Sequence, residues 1–69
     1  MFDRRLLQKY LDENGIKQKA VSIKSGVDET ALSKILTGKR KCEVNEYIAI
    51  CKALKVKPDK FINNSNYLN

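Results

Sequence analysis

Apolar residues recur along this chain at intervals of three and four, the spacing that lines one face of a helix, in successive stretches separated by glycine or short polar runs. Phe2, Leu6 and Tyr10, with Leu7 and Leu11, predict a first helix from about Arg4 to Asn14. Asp3 caps it, because its carboxylate can accept from the free backbone N–H groups of the first turn. A second helix is predicted from Gln18 to Ser25, with Val21 facing inward and Lys19 and Lys24 outward. A third starts after Asp28, another good cap, turns Ala31, Leu32, Ile35 and Leu36 inward, and stops at Gly38. Val44, Tyr47, Ile48, Cys51 and Leu54 mark a fourth, from Val44 to Lys55. Pro58 then opens a short fifth helix at its first position, where the missing N–H costs nothing, and Phe61 and Ile62 close the core.

A second regularity supports the same starts. At each one, the residue before the cap and the residue five positions later are both apolar: Phe2 with Leu7, Ile16 with Val21, Val27 with Leu32, Cys42 with Tyr47, and Val56 with Phe61. These are the two ends of a hydrophobic staple, which sets the angle at which a chain enters a helix. Gly15, Gly26 and Gly38 each follow a helical stretch, where the chain turns left-handed. No segment alternates polar and apolar residues with β-branched enrichment, so strands are not expected. The predicted fold class is all-α: a compact five-helix arrangement, one domain over 1–69, with 63–69 as a frayed polar tail. Tyr67 and Leu68 interrupt that polarity and could dock on the domain or on a second copy.

Composition narrows what such a domain can do. A chain of 69 residues, 42% of them hydrophobic, buries only about 60% of the surface its unfolded form exposes, so a deep cleft on a large core is not expected. With no His, neither a His-activated nucleophile nor a His-containing zinc site can be assembled. Paired carboxylates in one apolar setting and a Gly-rich phosphate loop are also missing, and an enzyme is not expected. Cys42 and Cys51 form no CxxC pair and read as structural cysteines of a reducing compartment. No apolar run approaches the roughly 20 residues needed to span a bilayer, and no apolar signal core opens the sequence, which points to a soluble cytoplasmic protein.

Charge adds a location. Lys and Arg number 14 against 8 Asp and Glu, a formal net charge of +6. Seven of the basic residues lie between Lys17 and Lys41, with only Asp28 and Glu29 opposing them. An excess confined to one segment is the footprint of a polyanion-binding surface, most often nucleic acid. A solvated lysine-rich face accounts for the same composition. The segment Ile16 to Gly38 adds a short helix, a tight Gly26-Val27 turn, and a second short helix with a polar outer edge of Glu29, Thr30, Ser33 and Lys34. The major groove of B-DNA is wide enough to take such a helix.

Three runs carry a resemblance to a family. They are Gln18-Lys19-Ala20-Val21-Ser22-Ile23-Lys24-Ser25-Gly26-Val27, Leu32-Ser33-Lys34-Ile35-Leu36-Thr37-Gly38-Lys39-Arg40, and Ile50-Cys51-Lys52-Ala53-Leu54-Lys55-Val56. Together they resemble the Cro/cI-type (XRE) helix-turn-helix of phage repressors and bacterial regulators, over roughly Leu6 to Ile62. The resemblance implies a lambda-repressor-like domain in which Gln18 bonds a phosphate from the start of the second helix and buttresses the third. It places Glu29, Thr30 and Lys34 at base-reading positions of the third helix (29–36), with Ser33 a lesser candidate nearby. Thr37, Lys39, Arg40 and Lys41 fall in the loop that grips the DNA backbone, and Lys19, outward on the second helix, joins the phosphate-binding set. The chemistry agrees: Lys can donate to guanine O6 and N7, Glu can accept from cytosine N4, and a Thr methyl can meet a thymine methyl. Glu29 also suits the dipole at a helix start without any DNA.

Four positions depart from the family pattern: Ser22 where a small Ala is usual, Lys17 where a Ser or Thr cap is usual, Cys42 where Pro is common, and Lys55 where the fourth helix usually ends in Gly. Ser22 can bond back to a helix carbonyl, whereas Lys55 carries the cost of a left-handed conformation. The resemblance implies a sequence-specific regulator of double-stranded DNA, a repressor acting as a homodimer on a palindromic operator. With no room for a separate oligomerisation domain, the pairing is expected through the fourth helix and the C-terminal region, Val56 to Leu68. No cofactor, metal, membrane or small-molecule effector site is expected, and the setting is the nucleoid of a bacterial or phage-infected cytoplasm. The alternative is an antitoxin or protein-interaction adaptor on the same frame.

Overall fold

The computed structural model describes residues 1–63, which form four helices: α1 (Arg4–Glu13), α2 (Gln18–Ser25), α3 (Glu29–Leu36) and α4 (Val44–Leu54). Helix starts fall where the caps and staples predict. The Asp3 carboxylate accepts from the Arg5 N–H at 3.0 Å, and that of Asp28 accepts from the N–H groups of Thr30 at 3.0 Å and Ala31 at 3.4 Å. Lys17 offers no side-chain cap to α2. At α4 the Glu43 N–H donates to the Glu46 carboxylate at 3.0 Å, satisfying a backbone donor at the helix entrance. All ten staple residues sit in the core or pack against it.

The core is one cluster. Leu7 and Leu11 of α1, Val21 of α2, Leu32, Ile35 and Leu36 of α3, and Tyr47, Ile50 and Cys51 of α4 are buried, with Val27 and Phe61 from the connections. Helix α2 packs across α4 and against α3, while α1 lies on α3. Two details differ from the apolar pattern. Val44 lies on the inward stripe of α4 but opens that helix at the rim, where it stays 78% exposed, and Ile50 is fully buried in its place. Leu6 likewise lies at the edge of its stripe, at the boundary of exposure.

The predicted fifth helix does not form, and the reason lies in where its backbone groups go. Residues 58–61 are turns, closed by Lys60 N–H donating to Lys57 O at 3.0 Å and Ile62 N–H to Asp59 O at 3.3 Å. In a helix the Pro58 carbonyl would accept from Ile62; here it accepts from the Tyr47 hydroxyl. Phe61 N–H donates to that same hydroxyl at 3.3 Å, and Phe61 O accepts from Asp3 N–H at 2.8 Å. The segment is therefore tied to α4 and to the N-terminus. Phe2 and Ile62 form an isolated antiparallel bridge, and the rings of Phe2 and Tyr47 meet edge to face at 5.3 Å. The Tyr67 and Leu68 expectation, like the rest of the tail from Asn64 onward, lies outside the described residues.

Lys55 is left-handed at φ 58°, the sole non-glycine residue with positive φ among the described residues. It ends α4 in a Schellman arrangement, with Val56 N–H donating to Cys51 O at 3.0 Å and Lys55 N–H to Lys52 O at 3.1 Å.

Candidate nucleic-acid interface

The turn between α2 and α3 is held from both sides. Gly26 takes the left-handed conformation at φ 79° and donates its N–H to Ser22 O at 2.9 Å, ending α2. Ser22 departs from its expected bond to a carbonyl of its own helix: its hydroxyl donates forward, across the turn, to Val27 O at 2.6 Å. Val27 N–H donates to the Ser25 hydroxyl at 3.1 Å. A helix leaving such a turn has little freedom in its entry angle, and Val27 and Leu32 anchor it in the core. With Leu32, Ile35 and Leu36 buried, α3 is left with an exposed edge of Glu29, Thr30 and Lys34, and Ser33 half-buried beside them.

These four residues share an open groove of about 480 Å³ with Gln18, Thr37 and Lys39. Seven of the ten residues expected at the DNA surface are thus brought together. The side chains of Gln18 and Lys39 bracket the polar edge of α3 from the start of α2 and from the loop after α3. Glu29 and Lys34 place one acceptor and one donor between them. Thr37 lies in the groove, but its hydroxyl closes the end of α3 by donating to Ser33 O at 3.0 Å, with Lys34 O at 3.3 Å. The backbone N–H groups of 37–40 are likewise all turned onto carbonyls of α3. The loop therefore presents side chains, not amides, to an anion.

Lys19, Arg40 and Lys41 lie outside this groove. Lys19 is exposed on the first turn of α2. Arg40 and Lys41 line a separate open cleft of about 740 Å³, together with Arg4, Arg5, Gly38 and Cys42. The loop is thus divided, Thr37 and Lys39 to the groove and Gly38, Arg40 and Lys41 to the cleft. Arg40 is committed within the fold: Nη1 lies 2.8 Å from Glu46 Oε1 and Nη2 2.9 Å from Oε2, a bidentate pair. That hydrogen bonding raises the pKa of Arg40 and lowers that of Glu46. Burial pushes the Cys42 thiol up to about 11 and also raises that of buried Cys51. Both cysteines stay protonated near neutrality and suit packing better than nucleophilic work.

Sequence reasoning missed Arg4, Glu46 and the forward bond of Ser22. Glu46 carried a readable signal, three residues after Glu43 at capping-box spacing. Arg4 carried none, since Nη1 donates to Leu36 O at 3.2 Å, 32 residues away.

A short helix locked by a tight turn against a second helix, whose outer edge is polar and flanked by cations, defines a helix-turn-helix DNA-binding protein. The family model described as Helix-turn-helix matches residues 7–61. The chain belongs to this family, in its Cro/cI (XRE) form, and is a DNA-binding regulator of that type. Comparison with curated proteins and with solved structures found no match. Among the described residues no helix is long and apolar enough to cross a membrane.

Proposed function

We propose that the protein is a sequence-specific repressor, reading the major groove of double-stranded DNA with α3. Glu29, Thr30, Ser33 and Lys34 contact base edges, while Gln18, Lys19, Thr37, Lys39, Arg40 and Lys41 serve the backbone. The observation that carries this reading is the single groove joining Gln18, the polar edge of α3 and Lys39. Phosphate contacts set register and most of the affinity, and base contacts set preference. For Thr37 the hydroxyl must rotate off the α3 carbonyls, and for Arg40 the Glu46 pair must open or be shared, so Gln18 and Lys39 are the leading backbone ligands. The chain works as one DNA-binding unit without enzymatic activity, in the cytoplasm at the nucleoid.

One such unit offers few base contacts, and two-fold pairing doubles the interface and sets half-sites about one helical turn apart. The second copy pairs through α4 and the C-terminal region, Val56 to Leu68, on a palindromic operator. Repression by excluding polymerase needs no further surface. The experiment is binding to random duplex across a salt series, followed by selection of sites from a random pool. Steep loss of affinity with salt and recovery of an inverted repeat are expected. A flat salt response removes the DNA reading, and recovery of a single half-site removes the dimer.

A further inference from the structure

On the reading of the protein as a DNA binder, we infer that the cleft between the first turn of α1 and the loop after α3 is a second backbone site. It takes a phosphodiester group beyond the base pairs that α3 reads, through Arg4 and Lys41, the two cations of the cleft that no carboxylate of the described residues neutralises. Four cationic side chains line the cleft, those of Arg4, Arg5, Arg40 and Lys41, against one carboxylate, Asp3. Asp3 and Arg5 occupy each other, with Arg5 Nε 3.2 Å from Oδ1 and Nη2 3.4 Å from Oδ2, and Arg40 is occupied by Glu46. Arg4 and Lys41 have no carboxylate partner among the described residues. The Arg4 guanidinium has five N–H donors, and its one hydrogen bond among the described residues is that to Leu36 O.

Gly38 makes the site possible. A Cβ there would stand 2.7 Å from Arg4 Nε and 3.0 Å from its Cζ, so the absent side chain lets the guanidinium lie against the loop backbone. The next residue, Lys39, lines the groove beside α3. Two anion positions thus flank Gly38 and Lys39, and one DNA strand can run from the first to the second. The cleft is open, and its aromatic ring, Phe2, is packed edge to face on Tyr47. That suits a backbone phosphate, which needs charge, over a nucleobase, which needs a free face to stack on.

The test uses a duplex selected by the wild-type protein, Arg4→Gln, and Lys41→Gln, which leaves the Arg4 to Leu36 bond in place. Phosphate-ethylation interference is read alongside the slope of log K against log salt. The wild type is expected to show an ethylation-sensitive phosphate outside the selected base pairs. Both variants lose sensitivity there, keep the same base preference, and show a salt slope shallower by about 1 per cation removed. If Arg4→Gln does not fold, Lys41→Gln alone decides. Wild-type slope and interference in Lys41→Gln, with a shallower slope in Lys39→Gln, overturn the second site and leave DNA binding intact. No salt-dependent binding by the wild type overturns the DNA reading itself.

Discussion

Arg40 grips both carboxylate oxygens of Glu46, whose Oε1 also receives the Glu43 N–H, so one carboxylate joins the loop after α3 to the first turn of α4. A cation neutralised by its own protein is a weaker phosphate ligand than one left free in the groove. Arg40→Gln is therefore expected to lower the thermal midpoint while changing the salt slope of DNA binding less than Lys39→Gln does. Lys39→Gln in turn should leave the midpoint where it is. Calorimetry and a salt titration on the same variants give the ranking, and the reverse order would mean that the pair opens on DNA.

The same contact sets a pH dependence. The Arg40 hydrogen bonds, and then the Glu43 N–H, hold the Glu46 carboxyl below its ordinary value of 4.5, and the Arg5 side chain holds Asp3 below 3.8. A depressed folded pKa means that the unfolded chain takes up protons first. The contribution is thus complete above the unfolded values and is lost as pH falls through the folded ones. Urea midpoints are expected to be insensitive to Glu46 and Asp3 from neutrality to about pH 5 and to fall below about pH 4.5. Glu46→Gln should make the acid limb shallower. An unchanged acid limb in that variant would show that the Arg40 pair is not formed in solution.

Lys34 and Lys39 share the groove, and the proposed function gives them different ends. Lys34→Ala is expected to cost about 1–3 kcal/mol on the selected operator and to relax preference at one base pair. Lys39→Ala should weaken operator and random duplex alike. Competition binding with both DNAs separates the two effects, and equal losses on both DNAs from Lys34→Ala would remove it from the reading edge.

Much of this was legible in the sequence, for a physical reason. Caps and staples are local, so Asp3, Asp28 and the pairs Ile16 with Val21 and Val27 with Leu32 announce helix starts within six residues of chain. The polar outer edge of α3 follows from the same periodicity, because Leu32, Ile35 and Leu36 must turn inward. What escaped depends on contacts between distant segments. Pro58 is a good helix opener locally, yet Tyr47, eleven residues earlier, takes its carbonyl and holds the segment in turns. Arg40 reads as a loop cation until Glu46 folds back on it, and Arg4 has no role until Gly38 lies beneath it. The basic segment was legible as a composition, and the division of its loop between the groove and the cleft was not.

Lys55 offers a test of strain that leaves the DNA surface alone. It holds φ 58° and ψ 41° at the end of α4, and it lines a small cleft between α2 and α4 beside Ile16 and Leu54, away from the reading groove. A left-handed conformation costs a non-glycine residue about 1–2 kcal/mol, and glycine gives back part of that through the greater freedom of its unfolded chain. Lys55→Gly is therefore expected to stabilise the fold by about 0.5–1 kcal/mol. A domain of this size would show that as a rise of a few degrees in midpoint. Lys55→Ala, which keeps the Cβ and removes only the charged stem, should give no such gain. The pair isolates the backbone: a gain in both variants would point to the lysine charge, and a loss in Lys55→Gly to packing by its stem.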